Sequence, residues 1–164
     1  SLQGDKKVLE ALESAGVSIT SKDSGYRIEK TSSLKSFEFD ATDTPDLFPP
    51  LACLAVYCQG TTSIKGVKRL LHKESNRAES LIHEFKNVGI DIKVSDDMMV
   101  IPGGRPTGGT FDSHNDHRIA MAGAITALHT KGPVTITHHM AVRKSYPHFF
   151  DDLNQLHVKL KKEK

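Results

Sequence analysis

Two short runs of this chain have the residue types and spacing to handle an anion. One is His114-Asn115-Asp116-His117-Arg118-Ile119-Ala120-Met121-Ala122, where four polar, hydrogen-bonding residues stand directly ahead of Arg118 and a small-residue helix. The other is Lys73-Glu74-Ser75-Asn76-Arg77, again charged residues opening a helix. Both put cations and donors at a helix N-terminus, an end that already offers free backbone N–H groups and a partial positive charge.

Lys73 and Arg77 are four residues apart and are expected on one face of the first turn. Such a pair opposes the macrodipole and repels itself, so helix formation alone does not account for it. It reads either as a solvated charged face or as an anion clamp, with Arg77 forking onto a carboxylate or phosphate and Lys73 supplying a mobile point charge. Glu74, between two cations, is either a counter-ion or a proton donor and acceptor. Asp46, before Leu47-Phe48-Pro49-Pro50, reads as a helix cap or as a site carboxylate. Arg143-Lys144-Ser145-Tyr146-Pro147 is a further basic group before a helix. The cluster from His114 to His117 has no third well-spaced ligand group, so no metal is expected there. Asp116 is instead expected as a cap, Asn115 as a turn residue and His117 as a site donor.

Short α and β elements must position these groups. Asp5 can cap a helix through Val8, Leu9 and Leu12, which Gly16 stops. Strands are expected at 17–20, 26–28, 37–39, 61–67, 90–94, 98–101 and 134–137. Apolar or amphipathic helices are expected at 47–57, 75–87 and 116–129, with a last helix from about 146. Pro49 and Pro50 fit the first turn of theirs, where a missing N–H has no intrahelical partner to lose.

The bulk numbers exclude several classes. With 164 residues, 37% hydrophobic and 26% charged, the chain is long enough for a real core and is not disordered. Net charge is only +2 and no aromatic platforms stand out, so a nucleic-acid partner is not expected. No apolar run reaches membrane-spanning length and no signal-peptide pattern opens the sequence, so no membrane partner is expected. Cys53 and Cys58 are expected as buried free thiols of a reducing compartment, not as a disulfide or metal pair.

Shifted by about 72 residues, the chain falls on itself. Gly16-Val17-Ser18-Ile19 falls near Gly89-Ile90-Asp91-Ile92, Phe39-Asp40 on Phe111-Asp112, and Gly60-Thr61-Thr62-Ser63-Ile64 on Gly132-Pro133-Val134-Thr135-Ile136. Two tandem α/β modules, 1–72 and 73–145, with a terminal helix at 146–157, are the expected organisation. Asp46 and Arg118 then hold equivalent places, as nearly do Lys73 and Lys144. A surface helix start needs only a capping residue, so the recurrence of charge there points to a shared site.

These residues also carry a resemblance. Asn115-Asp116-His117-Arg118-Ile119-Ala120-Met121 resembles the Asn-Asp-His-Arg-Met-Ala-Met motif of the EPSP synthase (3-phosphoshikimate 1-carboxyvinyltransferase) family. Lys73-Glu74-Ser75-Asn76-Arg77 resembles its Lys-Glu-Ser/Thr-Asp-Arg motif, and Asp46-Leu47-Phe48-Pro49-Pro50-Leu51-Ala52 its aspartate-led helix start. Lys144-Ser145-Tyr146-Pro147 resembles its Lys-Ser/Thr-Phe/Tyr-Pro stretch, and Gln3-Gly4-Asp5 also fits. Asn76 and Ile119 depart from the pattern.

The resemblance implies an α/β (α+β) fold, the inside-out barrel lobe of the enolpyruvyl transferases. The chain would be the last two units of a C-terminal lobe, with the N-terminal lobe as its missing partner. It implies transfer of the enolpyruvyl group of phosphoenolpyruvate to the 5-hydroxyl of shikimate 3-phosphate, without metal or organic cofactor, in the cytoplasm. By motif match, Arg77, Arg118 and Lys144 would hold phosphoenolpyruvate, and Asp46, Arg69 and Lys73 would contact shikimate 3-phosphate. Asp46 would take the hydroxyl proton, Glu74 would protonate the methylene, and His117 would lie at the rim. The sister transferase acting on UDP-N-acetylglucosamine would not carry the Asn-Asp-His-Arg run. A different class of reading is a non-catalytic anion-binding or assembly module of the same fold.

Overall fold

The computed structural model describes residues 4–71, 73 and 75–161. A 3-10 turn at Gly4–Lys7 runs into α1 (Val8–Ser14), which ends where Gly16 takes φ +89°. Only a residue without Cβ enters that region at no steric cost. An antiparallel hairpin follows, β1 (Ile19–Lys22) and β2 (Gly25–Ile28), with Ile19 opposite Ile28. The strand expected at 17–20 is thus displaced by two residues.

Two β–α–β passages then carry the chain. In the first, β4 (Glu38–Asp40) leads through a 3-10 turn at Pro45–Leu47 into α2 (Phe48–Val56), and β6 (Thr61–Lys65) returns parallel to β4. In the second, β9 (Gly109–Asp112) leads into α4 (His117–Ala127), and β10 (Val134–Thr137) returns parallel to β9. Parallel neighbours need such a crossover, which a hairpin cannot supply. Between the passages lie α3 (Arg77–Asn87) and the antiparallel pair β7 (Lys93–Ser95) and β8 (Met98–Pro102). The main sheet runs β4-β6-β8-β7. A minor parallel pair joins β3 (Leu34–Lys35) to β5 (Cys58–Gln59), and α5 (Phe149–Gln155) closes the described chain. Among the described residues no helix is long and apolar enough to cross a membrane.

Three expectations shift for physical reasons. β6 stops at Lys65 because Gly66 turns at φ +106°, and Val67 enters a 3-10 turn, Val67–Leu70. Ile90 and Ile92 are apolar because they are buried, yet β7 begins only at Lys93. The two-residue strands β3 and β5 are too short to carry a period. Cys53 lies in α2 and Cys58 in β5, and both are buried free thiols. Burial pushes the Cys53 thiol up to about 12.

The main core is an apolar cluster between the helices and the sheet, and a smaller second cluster of Ala120, Ala124, Ala141, Val142, Phe149 and Leu153 packs α4 against α5. Phe48, Leu51, Ile64, Leu81, Phe85, Met99, Ile101, Phe111 and Ile119 are fully buried. Each such side chain contributes about 1.5–3 kcal/mol over leaving it exposed. Phe85 and Phe111 meet edge to face at 5.6 Å, tying α3 to β9. The small face of α4 explains how it sits so deep. A Cβ added at Gly123 would come 2.7 Å from the Phe111 ring, and the Ala122 carbonyl accepts from the Cys53 thiol of α2 at 3.3 Å. These contacts seat the middle of α4 against β9 and α2.

Candidate active site

The loop ahead of α4 is held in an unusual backbone path. His114 and Asn115 both adopt left-handed conformations, φ +49° and +56°. The Asp112 carboxylate accepts from the His114 N–H at 2.7 Å, and the buried Ser113 hydroxyl accepts from the Asn115 N–H while donating to the His138 carbonyl at 3.0 Å. Local bonds of this kind stabilise αL residues that sterics disfavour. Asp116 then caps α4 as expected, its carboxylate accepting from the Arg118 N–H at 2.9 Å.

The Asp116 carboxylate is fully buried and is answered by Arg77, whose side chain is only 3% exposed. Arg77 Nε donates to Oδ2 at 2.7 Å and Nη2 to Oδ1 at 3.4 Å, a two-pronged contact, and Ser75 adds a bond at 3.2 Å. Burial opposes both charges, but each outweighs it for the other. The Asp116 pKa is lowered by the Arg77 hydrogen bonds and charge, and the Arg77 pKa is raised by Asp116 and then Asp46. The remaining prong of Arg77, Nη1, donates to Asp46 Oδ1 at 2.7 Å.

Asp46 is the meeting point. It receives Arg77, Lys73 Nζ at 3.3 Å, and Arg118 Nη2 on its other oxygen at 3.2 Å, while Arg118 Nη1 also donates to its backbone carbonyl at 3.4 Å. Its carboxylate makes no cap bond to the helix, so the site-carboxylate reading describes its contacts better than the cap does. Partial burial works against its ionisation, yet Arg118, Arg77 and Lys73 hold its pKa below the usual carboxylate value. Lys144, in the 3-10 turn His139–Lys144, donates to the Asn115 carbonyl on the far side of the same loop. Among the described residues of the site four cations therefore stand around two carboxylates, and the excess is positive.

Lys73 and Arg77 do not share a helix face. Asn76 caps α3 by accepting from the Glu79 N–H, so the helix begins at Arg77 and Lys73 precedes it. With Asp116 taking the Arg118 N–H and Asn76 the Glu79 N–H, the positive charge comes from side chains rather than from open helix ends. His117, expected at the rim, is 7% exposed in the first turn of α4. Arg69 is exposed in the turn Val67–Leu70. Glu74, and Gln3 of the N-terminal motif, lie outside the described residues. Sequence reasoning missed Asp116 as the partner that fixes Arg77. The pair is 39 positions apart, and only the shared membership of the two motifs hinted at it.

A family model for EPSP synthase (3-phosphoshikimate 1-carboxyvinyltransferase) matches residues 1–153. The chain belongs to the EPSP synthase family. A curated 3-phosphoshikimate 1-carboxyvinyltransferase from Methanocella arvoryzae is 38% identical over 161 residues, covering 98% of this chain and 38% of that protein. One from Clostridium novyi is 40% identical over 158 residues, covering 95% of this chain and 36% of that protein. The EPSP synthase structure from Acinetobacter baumannii superposes with a TM-score of 0.80 at 29% identity, over 90% of this chain and 38% of that one. An enolpyruvyl transferase from Streptomyces tendae shares the fold at a TM-score of 0.72 and 23% identity. The α/β enolpyruvyl-transferase fold expected from the sequence is thus the fold observed. The chain spans less than two-fifths of the length of each relative named here.

Proposed function

We propose that this chain supplies one side of the active site of a 3-phosphoshikimate 1-carboxyvinyltransferase. The reaction moves the enolpyruvyl group of phosphoenolpyruvate to the 5-hydroxyl of shikimate 3-phosphate and releases phosphate. The observation that best supports this is the convergence of Lys73 and Arg77 from one segment and Arg118 from another on the single carboxylate of Asp46. Each substrate brings a carboxylate and a phosphate, and a cationic cluster around one reactive carboxylate suits that pair.

In this reading Arg118, Lys144 and the Asp46-facing prong of Arg77 hold phosphoenolpyruvate, while Lys73 and Arg69 take the anionic groups of shikimate 3-phosphate. The 5-hydroxyl oxygen adds to C2 of phosphoenolpyruvate and its proton passes to Asp46. Glu74 delivers a proton to C3, which becomes a methyl group. Withdrawal of a methyl proton then re-forms the double bond as the C2–O bond to phosphate breaks. Asp46 is ionised at neutral pH as an ordinary carboxylate is, and its three cations lower its pKa further, so it is ready to accept a hydroxyl hydrogen bond. Substrate anions drawing on the same cations raise its basicity when the proton must move.

The partner in this reading is an N-terminal lobe bearing the rest of the shikimate site, and the compartment is the cytoplasm. The chain would correspond to two units, 1–72 and 73–145, followed by the terminal helix 146–157. Support for the duplication comes from the two β–α–β passages, in which Asp46 and Arg118 are 72 residues apart. Catalysis needs both sides in register and closed against water, so the 164-residue chain alone should turn over negligibly. The test is phosphate release from the two substrates, by this chain alone and then with the N-terminal portion of an EPSP synthase added. Activity only in the mixture supports the reading. Activity from the chain alone contradicts the half-site, and none from a folded mixture favours a non-catalytic anion-binding module.

A further inference from the structure

A second polar cluster joins α3 to the 113–116 loop, and the transferase chemistry proposed above gives its members no role. Glu84, in the last turns of α3, is 1% exposed, yet both of its oxygens are committed. Oε2 accepts from the Asp112 N–H at 2.7 Å and from Asn87 Nδ2 at 3.3 Å. Oε1 lies 2.8 Å from His83 Nδ1 and 2.8 Å from His114 Nε2. The three ligand atoms all fall within 4.8 Å of one another.

We propose that His83, Glu84 and His114 form a zinc-binding site that fastens α3 to the loop leading into Asp116 and Arg118. Two imidazoles and one carboxylate are the donor set of zinc sites that keep a position open. Nitrogen donors select zinc over magnesium or calcium, which take oxygen. Tetrahedral ligands around zinc stand roughly 3.3 Å apart, so each imidazole nitrogen moves outward by about half an ångström from where it now meets Oε1, and the two nitrogens, within 4.8 Å of each other, settle at a similar spacing. Both rings have that freedom, with side chains 68% and 38% exposed, while Glu84 does not. The Asp112 N–H and Asn87 amide supply the outer hydrogen bonds that fix a ligating carboxylate. A depression of about 340 Å³, lined by His83, His114, Ser75, Asn76, Glu79 and Ser80, borders the rings and gives a fourth ligand, water or a small anion, room to enter.

The backbone agrees. His114 is held at φ +49°, a conformation costly for a residue with a Cβ, and that conformation carries its ring to Glu84. The sequence concealed the site because His114 is 30 residues from Glu84 and no short ligand spacing announces it. This site is independent of the transferase reading and needs no substrate.

The test is titration of the 164-residue chain with zinc chloride against a chromophoric chelator. One equivalent should bind, and His83→Ala and His114→Ala should each weaken it at least about tenfold. His148→Ala, at an exposed histidine beside Asp151, should leave it unchanged. Cobalt(II) in place of zinc should give the intense visible band of a four-coordinate ion in the parent and lose it in both variants. Glu84 is buried and its replacement endangers folding, so the two exposed histidines carry the test, with circular dichroism confirming that both variants fold. No stoichiometric binding, or binding indifferent to His83→Ala and His114→Ala, overturns the proposal.

Discussion

Helices α2 and α4 each begin beside an aspartate, and the two aspartates have opposite jobs. Asp116 is fully buried, caps α4 and is gripped by the two-pronged Arg77. Asp46 sits in a 3-10 turn, caps nothing, is 35% exposed and is surrounded by three cations. A side chain that serves its own helix cannot also serve a ligand. The first aspartate therefore builds the scaffold that aims Arg77, and the second is the one our proposal gives to the chemistry. Arg77 joins the two, with one donor on Asp46 and the rest on Asp116.

Substitution should split the pair most sharply in stability. Asp116→Ala strands a buried guanidinium and removes a cap, and should cost about 3–5 kcal/mol in urea unfolding. Asp46→Ala breaks half-exposed pairs and leaves Arg77 its main partner, so it should cost no more than about 1 kcal/mol. Equal losses would break the comparison.

Acid should sharpen it. Both carboxylates have folded pKa values below their unfolded ones, so their contribution is full above about pH 4 and is lost as pH falls through the folded values. Unfolding midpoints measured from pH 7 downward should fall less steeply in Asp116→Asn than in the parent chain, and the change should be smaller for Asp46→Asn. Identical slopes in both variants would contradict the assignment. The smallest effect concerns the neighbouring helix. Asn76→Ala removes only the α3 cap and should cost about 0.5–1 kcal/mol, read from the thermal midpoint.

Much of this was legible in the sequence, for local reasons. Glycine stops at Gly16 and Gly89, the Asp116 cap and the prolines opening α2 are each set by a residue and its near neighbours. The convergence on Asp46 was legible only through the order of the motifs, because Lys73, Arg77 and Arg118 meet it across 27 to 72 residues. What escaped was long-range and polar. Neither the Arg77–Asp116 pair nor the Glu84 cluster follows a period. The two-residue strands β3 and β5 exist because a neighbouring backbone is there to pair with.

The most direct test measures phosphate release by Asp46→Asn, reconstituted with the N-terminal portion of an EPSP synthase and matched for its unfolding midpoint. The account predicts a fully folded protein whose turnover falls on the order of 10²–10⁴-fold. Turnover near that of the parent chain would contradict it, because Asp46 would then be one more counter-ion and the proton would have to go elsewhere.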